Sequence, residues 1–211
     1  MPDEKYKEDF EKNVFDEPAA AYGTEAEKLF TVEDYFALPD EQRAELIDGV
    51  FYNMSSPSLM HQAVLTELLV RFRACRDTHN LNCEIFPAPC DVRLDRDEYT
   101  MVQPDLIVTC RTCDFQKPYF EGAPDLAAEI LSPSTRSKDL FLKKMKYQRA
   151  GVREYWIIDP EDRIVKIYDF EKGEDDAETY DFRSEVPVHI SGGRCRIDFS
   201  GILQMLENHG C

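Results

Sequence analysis

The stretch PDLAAEILSPST, residues 124–135, decides the fold. From Leu126 to Leu131 it is apolar except for Glu129, the pattern of a short strand covered on both faces at the centre of a sheet. Ser132-Pro133-Ser134-Thr135 breaks that strand and supplies side-chain acceptors that open a helix. The helix is expected to run to Ala150 and stop at Gly151, because glycine takes the left-handed backbone of a helix end at no steric cost. EYWIID (154–159) and RIVKIYDF (163–170) then return to strand patterning on either side of Pro160. A strand, a helix and further strands in this order imply an α/β domain, a mixed β-sheet flanked by helices.

Working outward, NCEIFPAPCDVRL (82–94) and YTMVQPDLIVTC (99–110) flank a polar turn and predict an antiparallel pair. Residues 57–77 carry Leu65, Leu68, Leu69, Phe72 and Cys75 at three- and four-residue spacing, an amphipathic helix with Ser56-Pro57 as its cap and first residue. AELIDGVFYNM (44–54) places Asp48-Gly49 between two apolar runs, which predicts a tight hairpin. Thr31 and Asp34 have capping-box spacing at the start of a short helix, TVEDYFAL. Beyond the second of the two strands about Pro160, the acidic segment 169–185 reads as a loop, VPVHI and CRIDF as strands, and Ser200 as the start of a last helix. Residues 1–28, with nine acids and four bases, are expected to form a flexible extension, and residues 29–211 a single domain.

Composition narrows the function. A hydrophobic fraction of 43% supports a real core, so a chain disordered throughout is excluded. No apolar run approaches the roughly 18 uncharged residues of a membrane span. The acidic start lacks the apolar segment of a secretory signal, and seven cysteines without framework spacing suit a reducing compartment. A cytoplasmic location is therefore expected, with no membrane partner. The net charge of -17 repels nucleic acid at long range and excludes a generic DNA-coating protein. Residues 136–153 run the other way, with seven bases against Asp139 alone. That segment is either a solvated helix face or a local phosphate-contacting surface.

Two acids stand in buried-strand contexts. Asp105 opens PDLIVT and Glu129 lies inside PDLAAEIL. A carboxylate there is costly unless it is paired or bound to a cation, so the two either hold a hard divalent ion together or each answers a structural need nearby. On the following helix Asp139, Lys143 and Tyr147 recur every four residues and share a face. Lys143 could reach the acids from that face, or could be an exposed helix lysine. His61, in the first turn of its helix, could touch the site or cap; Tyr147 could bond within the site or serve as a core aromatic with a wet hydroxyl. Cys110-Arg-Thr-Cys113 has zinc-compatible spacing without a second pair, and Cys75, Cys83 and Cys90 read as small apolar residues.

ELIDG (45–49), PSLMHQ (57–62), PDLIV (104–108), PDLAAEILSPST, the D-x-x-x-K-x-x-x-Y stripe and AGVREYWIIDP (150–160) together resemble the Uma-two type restriction endonuclease family of the PD-(D/E)XK superfamily. The resemblance runs from about Thr31 to Phe170 in unbroken order. It implies a restriction-endonuclease-like fold for the domain, with Asp105 and Glu129 as metal-binding acids and Lys143 as catalytic lysine. The usual lysine position, two residues after the second acid, holds Leu131 here, so the resemblance implies a lysine moved onto the following helix. Glu45 matches the extra acid near such sites. The expected cofactor is Mg2+ or Mn2+, and the expected partner is DNA, bound through segment 136–153, with a homodimer left open. The expected activity is metal-dependent hydrolysis of DNA phosphodiester bonds. The alternatives are a catalytically silent nuclease fold that binds a partner, and a hydrolase of smaller phosphates.

Overall fold

The computed structural model describes residues 29–39, 42–95, 97–133, 135–173 and 177–209. The expected extension over residues 1–28 lies outside the described residues. The chain opens with α1 (Val32–Phe36), whose Thr31 and Asp34 form the reciprocal capping box. It is followed by the hairpin of β1 (Ala44–Ile47) and β2 (Val50–Asn53). Asp48 and Gly49 have φ of 50° and 80°, the doubly left-handed turn that a two-residue hairpin requires. A Cβ at Gly49 would also lie 2.8 Å from the Leu29 Cβ, so this position needs glycine twice over.

Next come α2 (Leu59–Thr78), β3 (Glu84–Pro87), the two-residue β4 (Val92–Arg93), β5 (Leu106–Thr109), β6 (Phe120–Glu121) and β7 (Leu126–Ile130). The cap of α2 is Ser58, whose Oγ accepts the His61 amide at 3.1 Å, rather than Ser56. After β7 the chain forms a π-helical turn over Lys138–Lys143 and α3 (Lys144–Ala150), which ends on Gly151 at φ 92°. β8 (Glu154–Asp159), β9 (Ile164–Asp169), β10 (Glu178–Asp181), β11 (Glu185–Val188), β12 (Cys195–Asp198) and α4 (Ser200–Asn208) complete the described chain. Part of the acidic segment read as a loop is thus the edge strand β10, paired antiparallel with β9.

One six-stranded sheet, ordered β10-β9-β8-β7-β5-β3, organises the rest. β7 sits between β5, antiparallel to it, and β8, parallel to it, and is buried along its whole length. Strand alternation divides the sheet into two faces. Leu106, Val108, Leu126, Ala128, Ile130, Trp156 and Ile158 pack with α2, α4 and the β11–β12 hairpin. Ile107, Ala127, Tyr155 and Ile157 pack on the other side with Tyr147, Val152 and Ile47. Glu129 has the parity of Ala127 and so belongs to this second face, beneath the π turn and α3.

The cysteines depart from expectation. Cys75 bonds to Cys195, tying α2 to β12, and Cys83 bonds to Cys110 at the end of the β3–β5 pair. Cys110 is therefore joined to Cys83 rather than to Cys113 through zinc, and Cys75 and Cys83 are each held in a disulfide rather than being isolated apolar residues. Their strands and helix bring together positions too far apart in sequence for spacing to reveal. Cys90 and Cys113 are free. No described helix is long and apolar enough to cross a membrane.

Candidate active site

Register brings the two strand acids together. β5 and β7 pair Leu106 with Ala128, and continuing that register by one residue sets Asp105 opposite Glu129 on the same face. The Asp105 carboxylate is anchored across the strands, because its Oδ2 accepts the Ile130 amide at 2.8 Å. The same oxygen lies 3.1 Å from His61 Nε2, which the first turn of α2 delivers to the site. Burial opposes a charged imidazole, but the bond to Asp105 and its charge outweigh that and raise the His61 pKa. His61 Nδ1 is buried and has no hydrogen-bond partner among the described residues.

Glu129 is covered from the helix side. Lys143 Nζ lies 2.8 Å from Glu129 Oε1, and the Tyr147 hydroxyl donates to the same oxygen at 2.7 Å. Lys143 also lies 2.8 Å from Glu45 Oε1 and 3.5 Å from Asp139 Oδ1. Glu45 is fully buried on β1, where its Oε1 accepts the Gln103 amide and its Oε2 accepts Lys138 Nζ at 2.6 Å. The structure therefore gathers Glu45, Asp105, Glu129, Lys143, His61 and Tyr147 around one end of the sheet. It adds two residues that sequence reasoning did not assign to the site. Asp139 was visible only as a member of the stripe with Lys143. Lys138 lies off the four-residue stripe and was visible only as one of the seven bases of segment 136–153.

The π turn explains Lys138. Its hydrogen-bond period is five residues rather than four, so positions 138 and 143 come onto one side, whereas an α-helix would separate them by about 140°. Both ammonium groups thereby grip Glu45. Burial works to protonate Glu45, but Lys143 and Lys138 prevail and lower its pKa. Glu129 goes the other way: burial raises its pKa well above the ordinary value, with repulsion from Asp139, Asp105 and Glu45 adding to this and Lys143 only partly offsetting it. Asp139 is likewise raised by burial. Burial also opposes the Lys143 charge, yet Glu129, Glu45 and Asp139 outweigh it and keep the ammonium protonated well beyond the usual range.

Four carboxyl groups thus face two ammonium groups, a deficit of two positive charges when all are ionised, or of one with His61 protonated. A divalent cation fits that deficit. Asp105 Oδ1 and Glu129 Oε2 accept no hydrogen bond from the described residues, so each acid has an oxygen to offer. Among the described residues no group of three or more His, Cys, Asp and Glu is gathered to hold an ion.

The basic segment is a correction to expectation. Arg136 pairs with Asp159 and Asp162, Lys138 with Glu45, Lys143 with Glu45 and Glu129, Lys146 with Asp48 and Asp95, and Arg153 with Asp125 and Glu171. Lys144 packs over the Tyr168 ring. Most of its positive charge therefore balances internal acids instead of forming a surface track for phosphates.

Comparison with known proteins follows the same lines. The family model Uma2, described as "Putative restriction endonuclease", matches residues 32–190. An uncharacterised protein of Synechocystis sp. is 32% identical over 110 residues, 51% of this chain and 56% of that protein. The aligned region spans little more than half the length of that relative. A crystal structure described as a putative nuclease belonging to DUF820, from Anabaena variabilis, superposes with a TM-score of 0.68 at 20% identity, over 81% of this chain and 96% of that one. At that identity the likeness establishes the nuclease-like fold.

Proposed function

The chain belongs to the Uma2 family of putative restriction endonucleases, and from that premise we propose that it is a magnesium- or manganese-dependent endonuclease hydrolysing phosphodiester bonds in DNA. One observation carries the reading: Lys143 Nζ stands 2.8 Å from Glu129 Oε1, and Glu129 is the register neighbour of Asp105. Asp105 and Glu129 would hold the ion. When bound, it would activate water and offset charge on a phosphorane-like transition state. Tyr147 and Lys143, both on Oε1, fix the Glu129 carboxylate and leave Oε2 for the ion. Lys143, kept charged by its three carboxylates, is a preorganised donor for charge that develops on phosphate oxygens. Glu45, held ionised by two lysines, fixes the direction of that ammonium. His61 orients Asp105 through Oδ2.

The test is cleavage of duplex DNA, single-stranded DNA, RNA and a mononucleotide in Mg2+, for the parent chain, Glu129→Ala and Lys143→Met. Lys143→Met keeps the aliphatic stem and is expected to lower the cleavage rate about 100-fold or more, while Glu129→Ala abolishes it. Lys143→Met cleaving at the parent rate would remove Lys143 from the mechanism. Cleavage persisting in Glu129→Ala would identify the activity as a contaminant.

A second reading, a substrate with few phosphates, is favoured by the internal pairing of the basic segment. Affinity for duplex DNA rests largely on released counterions, and lysines already spent on internal acids release few. A panel in which only the mononucleotide is hydrolysed would select that reading.

A further inference from the structure

A cavity of about 730 Å3 opens on the face of the sheet that carries Glu129, and none of the residues assigned to the site lines it. It begins one residue from the acid cluster. Gln103, whose amide bonds Glu45, forms part of its wall together with Asp91. Its volume falls within the range of small-molecule pockets. Phe86 and Phe115 meet on one side with ring centroids 6.3 Å apart, and Tyr119 on another meets Phe36 at 5.9 Å. Phe115 is 73% exposed and meets Phe86 only edge-on, so most of its ring faces solvent.

The polar end is ordered. Asp91 Oδ1 accepts both the Tyr35 hydroxyl at 2.9 Å and Gln103 Nε2 at 2.8 Å, which leaves Oδ2 as an acceptor. The charged residues of the wall argue against a phosphate occupant. Three acids, Asp91, Asp114 and Glu121, outnumber Arg111 and Lys117, and Lys117 is already paired with Glu121. Arg111 donates to the Ala123 carbonyl. Aromatic platforms with an acceptor at one end and no net positive charge suit a flat, neutral ring that carries amino groups.

We propose that this cavity receives an unpaired nucleobase of the substrate, so that base stacking supplies affinity that the internally paired basic segment does not. The proposal rests on the nuclease reading, since it places the base beside the acid cluster. The base can come from a single strand or be extruded from a duplex; the stacking chemistry is the same.

Fluorescence of 2-aminopurine tests it, because stacking on an aromatic ring quenches that base. The full chain is titrated in EDTA, where cleavage cannot proceed, with a single strand of about 12 nucleotides bearing a central 2-aminopurine. Parallel titrations use the same strand with an abasic position and a duplex with 2-aminopurine opposite thymine. Quenching is expected with the single strand, and binding about tenfold weaker for the abasic strand. Phe115→Ala, at an exposed position, should keep the parent melting temperature, lose the quenching and bind about tenfold more weakly. Quenching with the duplex as well would identify an extruded base as a second source. Equal affinity for the abasic strand, parental quenching in Phe115→Ala, or no binding up to about 100 µM would overturn the proposal. Glu129-dependent cleavage by a chain that leaves 2-aminopurine bright would sink the base cavity and keep the nuclease reading. Quenching through Phe115 in a chain that cuts nothing would do the reverse.

Discussion

Glu129 holds its ordinary protonation only with difficulty, and that has a measurable sign. Its pKa in the folded chain is raised by burial and by three neighbouring acids, so between the unfolded carboxyl pKa of about 4.3 and the raised folded value the native state binds the extra proton. Stability from this group is therefore present at low pH and lost as pH rises through that window. Glu129→Gln keeps the shape, the Tyr147 bond and an acceptor for Lys143, but removes the charge that must otherwise be accommodated. Thermal unfolding at pH 8 without divalent ions should show the variant melting above the parent, with the difference shrinking towards pH 4. A variant that melts below the parent at pH 8 would mean that the Lys143 ion pair outweighs the crowding of acids. The same physics made the residue legible in the sequence. An acid inside an otherwise apolar strand has few structural explanations, so Asp105 and Glu129 could be named before any geometry was known. Glu45 offered no such contrast beside a Gly-containing hairpin, and only the resemblance pointed to it.

At the scale of elements, the π turn and α3 decide which basic residues are available. The expectation that DNA binds through segment 136–153 includes Lys146, which the structure instead pairs within the chain. Lys146 is only 7% exposed, and it ion-pairs with Asp48 of the β1–β2 turn and with Asp95. It fastens α3 to two turns of the chain. Burial opposes its charge, but the bonds to Asp48 and Asp95 hold its pKa up. Lys146→Met should accordingly cost about 1–3 kcal/mol in urea unfolding, less than a fully buried pair because Asp48 is solvated. The salt dependence of DNA binding should not change. An unaltered urea midpoint together with a flatter salt slope would restore Lys146 to the phosphate-contacting surface. Lys138 was hidden for the complementary reason. Sequence periodicity assumes a uniform helix, and a five-residue period confined to six residues leaves no trace in the spacing of apolar side chains. The β10 strand escaped because an edge strand needs little hydrophobic signal, and its acidic neighbours dominate the composition.

For the whole molecule, the net charge of -17 and the acid-rich site share one consequence: a divalent cation should bind the native chain more tightly than the unfolded chain. In the folded protein three strands and the π turn hold four carboxyl groups against two ammonium groups, and the unfolded chain disperses them. Mass action then converts preferential binding into stability, about 2.7 kcal/mol at a free ion concentration 100 times the dissociation constant. For a domain of this size that corresponds to a melting temperature higher by roughly 5–10 °C. Asp105→Asn should remove most of the rise, since it deletes one proposed ligand yet keeps an oxygen for the Ile130 amide at the strand end. The acidic surface offers a nonspecific route to the same rise through diffuse screening, and the control is ionic strength. Sodium chloride matched in ionic strength to the magnesium salt should reproduce only the screening part. A melting temperature that rises equally with both salts, or equally in parent and Asp105→Asn, would place the ion in the diffuse atmosphere of the chain and not between Asp105 and Glu129.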